Sequence, residues 1–174
     1  QEVLLFEQQE KTLGLHYIED IIEASEKHRT LRFVYTKFWE GVPHLREVIP
    51  YALKEYKRRW YLIAEDYQGD NQIKTFGLDR ISQLEITQTK VQHKKVDIET
   101  LFKNSYGITI DTETPPQEII LSFDYQQGQY IKTLPLHPSQ EVLIDNEKEV
   151  RIRLRLIPNY DFVMDICARS LYVK

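Results

Sequence analysis

Hydrophobic and polar positions along this chain repeat with two different periods. Residues 15–28 place Leu15, Ile18, Ile21, Ile22 and Ala24 at helical spacing, with Glu19, Asp20, Glu23 and Glu26 on the other side. The pattern predicts a covering helix that follows Gly14 and closes on Lys27, His28 and Arg29, cations suited to the negative end of its dipole. From residue 31 the period drops to two. Leu31, Phe33 and Tyr35 alternate with Arg32, Val34 and Thr36, which predicts a strand over residues 31–38, and Gly41 and Pro43 mark a loop over 39–44. A second strand runs over 45–56, with an irregularity or an edge at Pro50, which has no N–H for a ladder. Residues 58–64 are too short a run for a helix and read as a central strand. Trp60, Leu62 and Ala64 lie on its core face; Arg59, Tyr61 and Ile63 lie on a mixed face. Gln68-Gly69-Asp70-Asn71 is a hairpin signal. Strands over 73–78 and 84–87 follow, with Asp79-Arg80 as a tight junction. Five short antiparallel strands behind one helix predict a small β-barrel.

Past residue 90 the character changes. Residues 97–104 fit a short helix, and 111–116 (Asp-Thr-Glu-Thr-Pro-Pro) are linker-like. A second unit then reads as a strand over 118–123, a helix or loop over 126–133, a hairpin of 142–144 and 150–157 around Asp145-Asn146-Glu147, an amphipathic helix over 160–170, and the start of a strand at Leu171-Tyr172-Val173-Lys174. That β-α-β-β-α-β order is ferredoxin-like, so the predicted fold class is mixed α/β (α+β), a helix and small barrel followed by an incomplete ferredoxin-like unit. Arg151, Arg153 and Arg155 alternate with Ile152, Leu154 and Leu156, a basic stripe that reads either as solvated surface or as a binding face.

Composition narrows the function classes. With 174 residues and 41% hydrophobic content the chain is an ordinary globular sequence. No apolar run approaches the ~20 residues of a membrane span, and the acidic N-terminal stretch resembles no targeting peptide. The single Cys167, between Ile166 and Ala168, reads as a small buried hydrophobe in a protein of the reducing cytoplasm. The sequence begins without methionine and stops in a strand-like run, so we expect an excerpt of a longer polypeptide. Net charge is −4, which argues against a generic nucleic-acid binder; yet residues 31–90 carry ten basic against eight acidic side chains, so any anion site there is a local patch. No phosphate loop or nucleophile elbow is present, and the five histidines (16, 28, 44, 93, 137) have no metal-ligand spacing. We therefore expect no catalytic residue, no metal and no cofactor. Cations and phenols gather instead on the barrel segment: Tyr35, Lys37, His44, Arg46, Lys54, Arg59, Tyr61 and Arg80. Guanidinium groups hold phosphates and aromatic rings stack bases, a set that suits a nucleotide or oligonucleotide. In the alternative, Arg46 and Arg80 pair with the adjacent Glu47 and Asp79 as structural ions, and Tyr61 is a core tyrosine.

Three spaced runs carry a family likeness. Val48-Ile49-Pro50-Tyr51-Ala52-Leu53-Lys54-Glu55, then Arg59-Trp60-Tyr61-Leu62-Ile63, then Phe76-Gly77-Leu78-Asp79-Arg80-Ile81 closely resemble the WYL domain, named for Trp-Tyr-Leu. Leu134-Pro135-Leu136-His137-Pro138-Ser139-Gln140 and the closing helix resemble the C-terminal extension (WCX) that often follows it. The resemblance implies an Sm-like, SH3-type barrel that serves as the ligand-sensing part of a bacterial helix-turn-helix transcription regulator, with single-stranded nucleic acid or a nucleotide-like molecule as ligand. It implies residues 1–29 as connecting segment and helix, 30–96 as the WYL barrel, 97–117 as linker and 118–174 as the ferredoxin-like extension. It also implies a homodimer and DNA contact through a helix-turn-helix domain not in this chain. Carried over residue by residue, the ligand patch comprises Tyr35, Arg46, Tyr61 and Arg80, with His44 and Lys54 beside it in or near a loop that matches the family poorly. The alternative function is a dimerisation or scaffold module that senses nothing.

Overall fold

The computed structural model describes residues 13–169. The chain divides into two compact units, Gln1–Lys95 and Val96–Lys174. In the first, a 3-10 turn (Leu15–Tyr17) leads into helix α1 (Ile18–Glu26). Gly14 makes that start possible: its φ is +86°, and a Cβ there would lie 2.3 Å from the Leu78 carbonyl oxygen. α1 buries Ile21 and Ala24 in a core with Leu31, Phe33, Val48, Leu62 and Phe76.

Strands β1 (Arg29–Thr36), β2 (Pro43–Tyr56), β3 (Arg59–Asp66), β4 (Ile73–Gly77) and β5 (Ile81–Lys90) form one antiparallel sheet in the order β4-β3-β2-β1-β5. β2 is long enough to serve two neighbours in turn. Residues 43–48 pair with β1, and residues 48–56 pair with β3. Pro50 sits just past the last β1 pair, where its missing N–H deprives no ladder on that side, and the β2–β3 register shifts between Pro50 and Ala52. The hairpin from β2 to β3 turns on two residues, Lys57 (φ 48°) and Arg58 (φ 65°), both left-handed, as a tight two-residue connection requires.

Two readings from alternation need correction here. β3 is buried on both faces from Tyr61 to Asp66, so the face expected to be mixed is interior as well. β5 runs from Ile81 to Lys90 instead of 84–87. An extra residue enters at Gln83 (φ 53°), where the pairing steps from Arg32↔Glu85 to Val34↔Ser82, and this bulge hides the strand from a period-two reading.

In the second unit Asp97 caps helix α2 (Ile98–Phe102) by accepting from the Thr100 N–H at 3.1 Å. Strand β6 (Gln117–Asp124), helix α3 (Tyr125–Thr133), strands β7 (Glu141–Asp145) and β8 (Glu149–Leu156), and helix α4 (Tyr160–Cys167) follow. The sheet order is β6-β8-β7 with antiparallel pairs, the arrangement of the first three strands of a ferredoxin-like unit. Asp124 and Asn159 cap α3 and α4. α3 packs so closely on β8 that a Cβ at Gly128 would lie 2.3 Å from Val150 Cγ2. Phe123, Ile131, Val150, Ile152, Leu154, Leu156 and Phe162 fill the core beneath. The strand expected at 171–174 lies outside the described residues. Cys167 is exposed, not buried, because α4 turns Phe162 inward, with Ile166 packed against the same core.

Candidate functional site

The first unit concentrates its unusual chemistry where β4 gives way to β5. A 3-10 turn, Leu78–Arg80, makes that junction, anchored by Leu78 at 1% exposure. It projects Arg80 among three aromatic rings. The guanidinium carbon lies 5.5 Å from the Tyr35 ring centroid, 5.3 Å from Phe38 and 5.9 Å from Tyr61, all within cation–π range. Gly77 leaves the space: a Cβ there would lie 2.3 Å from Arg80 Nη2. The Gly77 N–H donates to the Tyr35 hydroxyl at 3.3 Å, tying β4 to β1 beside the guanidinium. Burial raises the Tyr35 pKa, while the Arg80 charge opposes that rise, so Tyr35 is a neutral phenol at ordinary pH.

Asp79 is shared between two arginines. Its Oδ2 accepts from Arg59 Nη1 at 2.7 Å, and its Oδ1 lies 3.5 Å from Arg80 Nε. The second pair has no hydrogen-bond geometry, and both atoms are buried without a hydrogen bond. Arg80 and Asp79 keep only 13% and 14% of their side-chain surface; Arg59 keeps 53% and lies 5.9 Å from the Phe38 ring. Two guanidinium groups against one carboxylate leave a positive site, and the exposed Lys57 and Arg58 adjoin it in sequence.

The structure therefore brings Tyr35, Tyr61 and Arg80 together. His44 is the cross-strand neighbour of Tyr35; it is exposed, with Nε2 3.6 Å from Glu40 Oε2. Lys54 is the cross-strand neighbour of Tyr61 and half-buried. Arg46 belongs to another cluster: its Nη1 lies 3.3 Å from Oδ2 of the buried Asp66, which also takes Lys74 Nζ at 2.9 Å. The pairing of Arg46 with adjacent Glu47 does not form, because successive strand residues point to opposite faces. Glu47 instead accepts from Thr30 Oγ1 at 2.8 Å, Gln68 Nε2 at 2.6 Å and Arg32 Nη2 at 3.2 Å.

Phe38 and Gly77 are the site members that residue typing missed; Asp79 was expected only as the partner of Arg80, and it accepts its hydrogen bond from Arg59 instead. Phe38 was expected to end a strand over 31–38, but β1 stops at Thr36 and Phe38 lies in the turn beyond it; Gly77 acts only as the space that its missing side chain leaves. In the second unit, the conspicuous groups are structural. His137 is 5% exposed with Nδ1 2.8 Å from Ser139 Oγ, and burial lowers its pKa. Gln140 bridges the Leu136 N–H and the Ile131 carbonyl, each at 2.9 Å. No cluster of potential metal ligands occurs among the described residues, and no helix among them is long and apolar enough to cross a membrane.

No curated protein matches the chain. Among solved structures it is similar to proteasome accessory factor B/C (PafBC) of Arthrobacter aurescens, at 20% identity and a TM-score of 0.49, over 96% of this chain and 25% of that one. It is also similar to a CRISPR Cas-related protein, at 12% identity and a TM-score of 0.44, over 86% of this chain and 48% of that one. The chain thus spans a quarter of the first and about half of the second. Residues 16–86 match the family model described as the WYL domain, a span that contains α1, Gly77, the Arg59–Asp79–Arg80 cluster and all three rings around it. Over residues 16–86 the chain is thus similar to the WYL domain, and this stretch holds the whole Arg80 site.

Proposed function

We propose that this chain is the ligand-sensing effector module of a bacterial transcriptional regulator, non-catalytic and cytoplasmic, and that single-stranded nucleic acid or a nucleotide-like ligand binds at the Arg80 site. In this reading the five-strand sheet works as an Sm-like barrel, the second unit supplies homodimer contacts, and a helix-turn-helix domain outside this chain reads DNA. The observation that carries it is the placement of Arg80: a guanidinium held among Tyr35, Phe38 and Tyr61, with Nε lacking a hydrogen bond, beside a second, half-exposed arginine. A cation this enclosed, ion-paired with Asp79 at 3.5 Å but without a hydrogen bond from Nε, keeps a donor that an arriving anion can take up.

The same enclosure favours a second reading, in which Arg80 is a structural ion and the module a scaffold. Substitution separates the two. If Arg80 meets a phosphate, Arg80→Ala weakens oligonucleotide binding by about 1–3 kcal/mol. It also flattens log K against log salt by roughly 0.7 for each phosphate of a single strand that is no longer neutralised. Tyr61→Phe leaves that slope unchanged, since a phenol releases no counterions. A folded Arg80→Ala chain that binds like the parent, with the same slope, hands the site to the scaffold reading.

A further inference from the structure

We infer that the β1–β2 loop is the base-stacking surface of this site, with Phe38 and Trp39 as the stacking rings, and that the ligand is a single-stranded oligonucleotide. The inference rests on the Arg80 reading and extends it. Tyr35 and Tyr61 cannot stack a base as they stand, because they keep only 6% and 7% of their surface. Any base must find its ring elsewhere.

Just past the end of β1 the chain makes a tight turn, closed by the Gly41 N–H donating to the Lys37 carbonyl at 3.0 Å. The turn carries Phe38 at 66% exposure and Trp39 at 74%, followed by Val42 at 54%. Large rings held in water at this density mark an interaction surface, not ordinary exposure. What accompanies them indicates the partner. Lys37 Nζ lies 5.8 Å from the Trp39 ring, and Arg59 and Arg80 lie 5.9 and 5.3 Å from Phe38. The one acid of the loop, Glu40, is engaged by Lys37 at 2.8 Å and by His44 at 3.6 Å, so its charge is offset locally. Exposed rings for bases, interleaved with cations for phosphates, are the means by which proteins hold a single strand. Adjacent rings also favour successive bases of an oligonucleotide over a lone nucleotide or a simple anion.

The test uses the whole chain, with hexathymidylate, an abasic strand of the same length and inorganic tripolyphosphate as probes. Phe38→Ala and Trp39→Ala each weaken hexathymidylate binding roughly five- to hundred-fold, the span of stacking one base on a ring. The salt slope stays that of the parent, and so does the melting temperature, since both side chains are exposed. Tryptophan emission falls on binding in the parent and not in Trp39→Ala, and the abasic strand, which loses both stacks, binds the parent more weakly than hexathymidylate binds either loop variant. Full affinity in both loop variants, alongside loss in Arg80→Ala, overturns the stacking loop and leaves the Arg80 reading standing. So does equal affinity for the abasic strand or tripolyphosphate. Absence of binding by every probe overturns both. Self-association of the parent that Trp39→Ala abolishes in light scattering assigns the loop to a second copy and overturns the inference too.

Discussion

Both units of this protein place arginines on or beside a β-sheet, and Arg80 of the first unit is treated unlike the arginines of the second. In the second unit β8 alternates cleanly, with Val150, Ile152, Leu154 and Leu156 buried and Arg151, Arg153 and Arg155 on the other face. Each of the first two arginines finds an acid nearby: Arg151 meets Glu149 at 3.0 Å, and Arg153 meets Glu141 at 2.5 Å across the strand pair. These pairs stand in water, where Coulomb attraction is weak and screened. In the first unit Arg80 leaves the ladder altogether. A 3-10 turn projects it, a glycine makes room for it, and rings from β1, the following loop and β3 surround it. A cation that satisfies a sheet rule is surface; one that breaks several at once is where a site is to be sought.

The contrast can be broken most forcefully through the cores. Phe123→Ala empties the centre of the second unit and should cost about 3–5 kcal/mol there. If the Arg80 site belongs to the first unit alone, oligonucleotide affinity in the folded protein is unaffected. A fall in affinity that accompanies the loss of hydrogen-exchange protection in the second unit contradicts that independence. Gly77→Ala is the sharper probe. The nearest atoms the new methyl meets are side-chain atoms of Arg80 and Asp79, so the fold accommodates it by displacing the cation from its cage. Melting should shift by no more than a few degrees while binding falls by about 1–3 kcal/mol, the scale of one charge-assisted hydrogen bond. Unaltered binding shows that the position of Arg80 among the rings is unimportant.

Much of the fold was legible because period and punctuation agreed. α1, β1, β2, β6 and the β7–β8 hairpin follow from alternation and turn residues, and the irregularity expected at Pro50 is the register shift between Pro50 and Ala52. Legibility failed where a single residue resets the period, as Gln83 does in β5, or where both faces of a strand are interior, as in β3. The site was legible as a set of residue types and not as a neighbourhood. Tyr35, Tyr61 and Arg80 do converge, but Arg46 shares the segment and answers to Asp66 instead, because cross-strand register decides partners and sequence adjacency does not. Phe38 and Gly77 were not read as site members: alternation carried Phe38 into a strand that in fact ends at Thr36, and Gly77 contributes only an absence.

The smallest expected effect tests the bland half of the comparison. Arg153 is 42% exposed, with Glu141 and Glu118 as its acids, and those charges hold its guanidinium pKa above the ordinary arginine value. Arginine is charged at every accessible pH in either case, so the shift carries no pH dependence into stability. Arg153→Ala removes two solvent-screened ion pairs and leaves two exposed carboxylates that water solvates freely. We expect a melting temperature indistinguishable from the parent, oligonucleotide affinity unaltered and the salt slope unaltered. The informative failure is a reduced salt slope. It would show that the β8 stripe releases counterions on binding, that phosphates reach the second unit, and that pairing with exposed acids does not suffice to rule an arginine out.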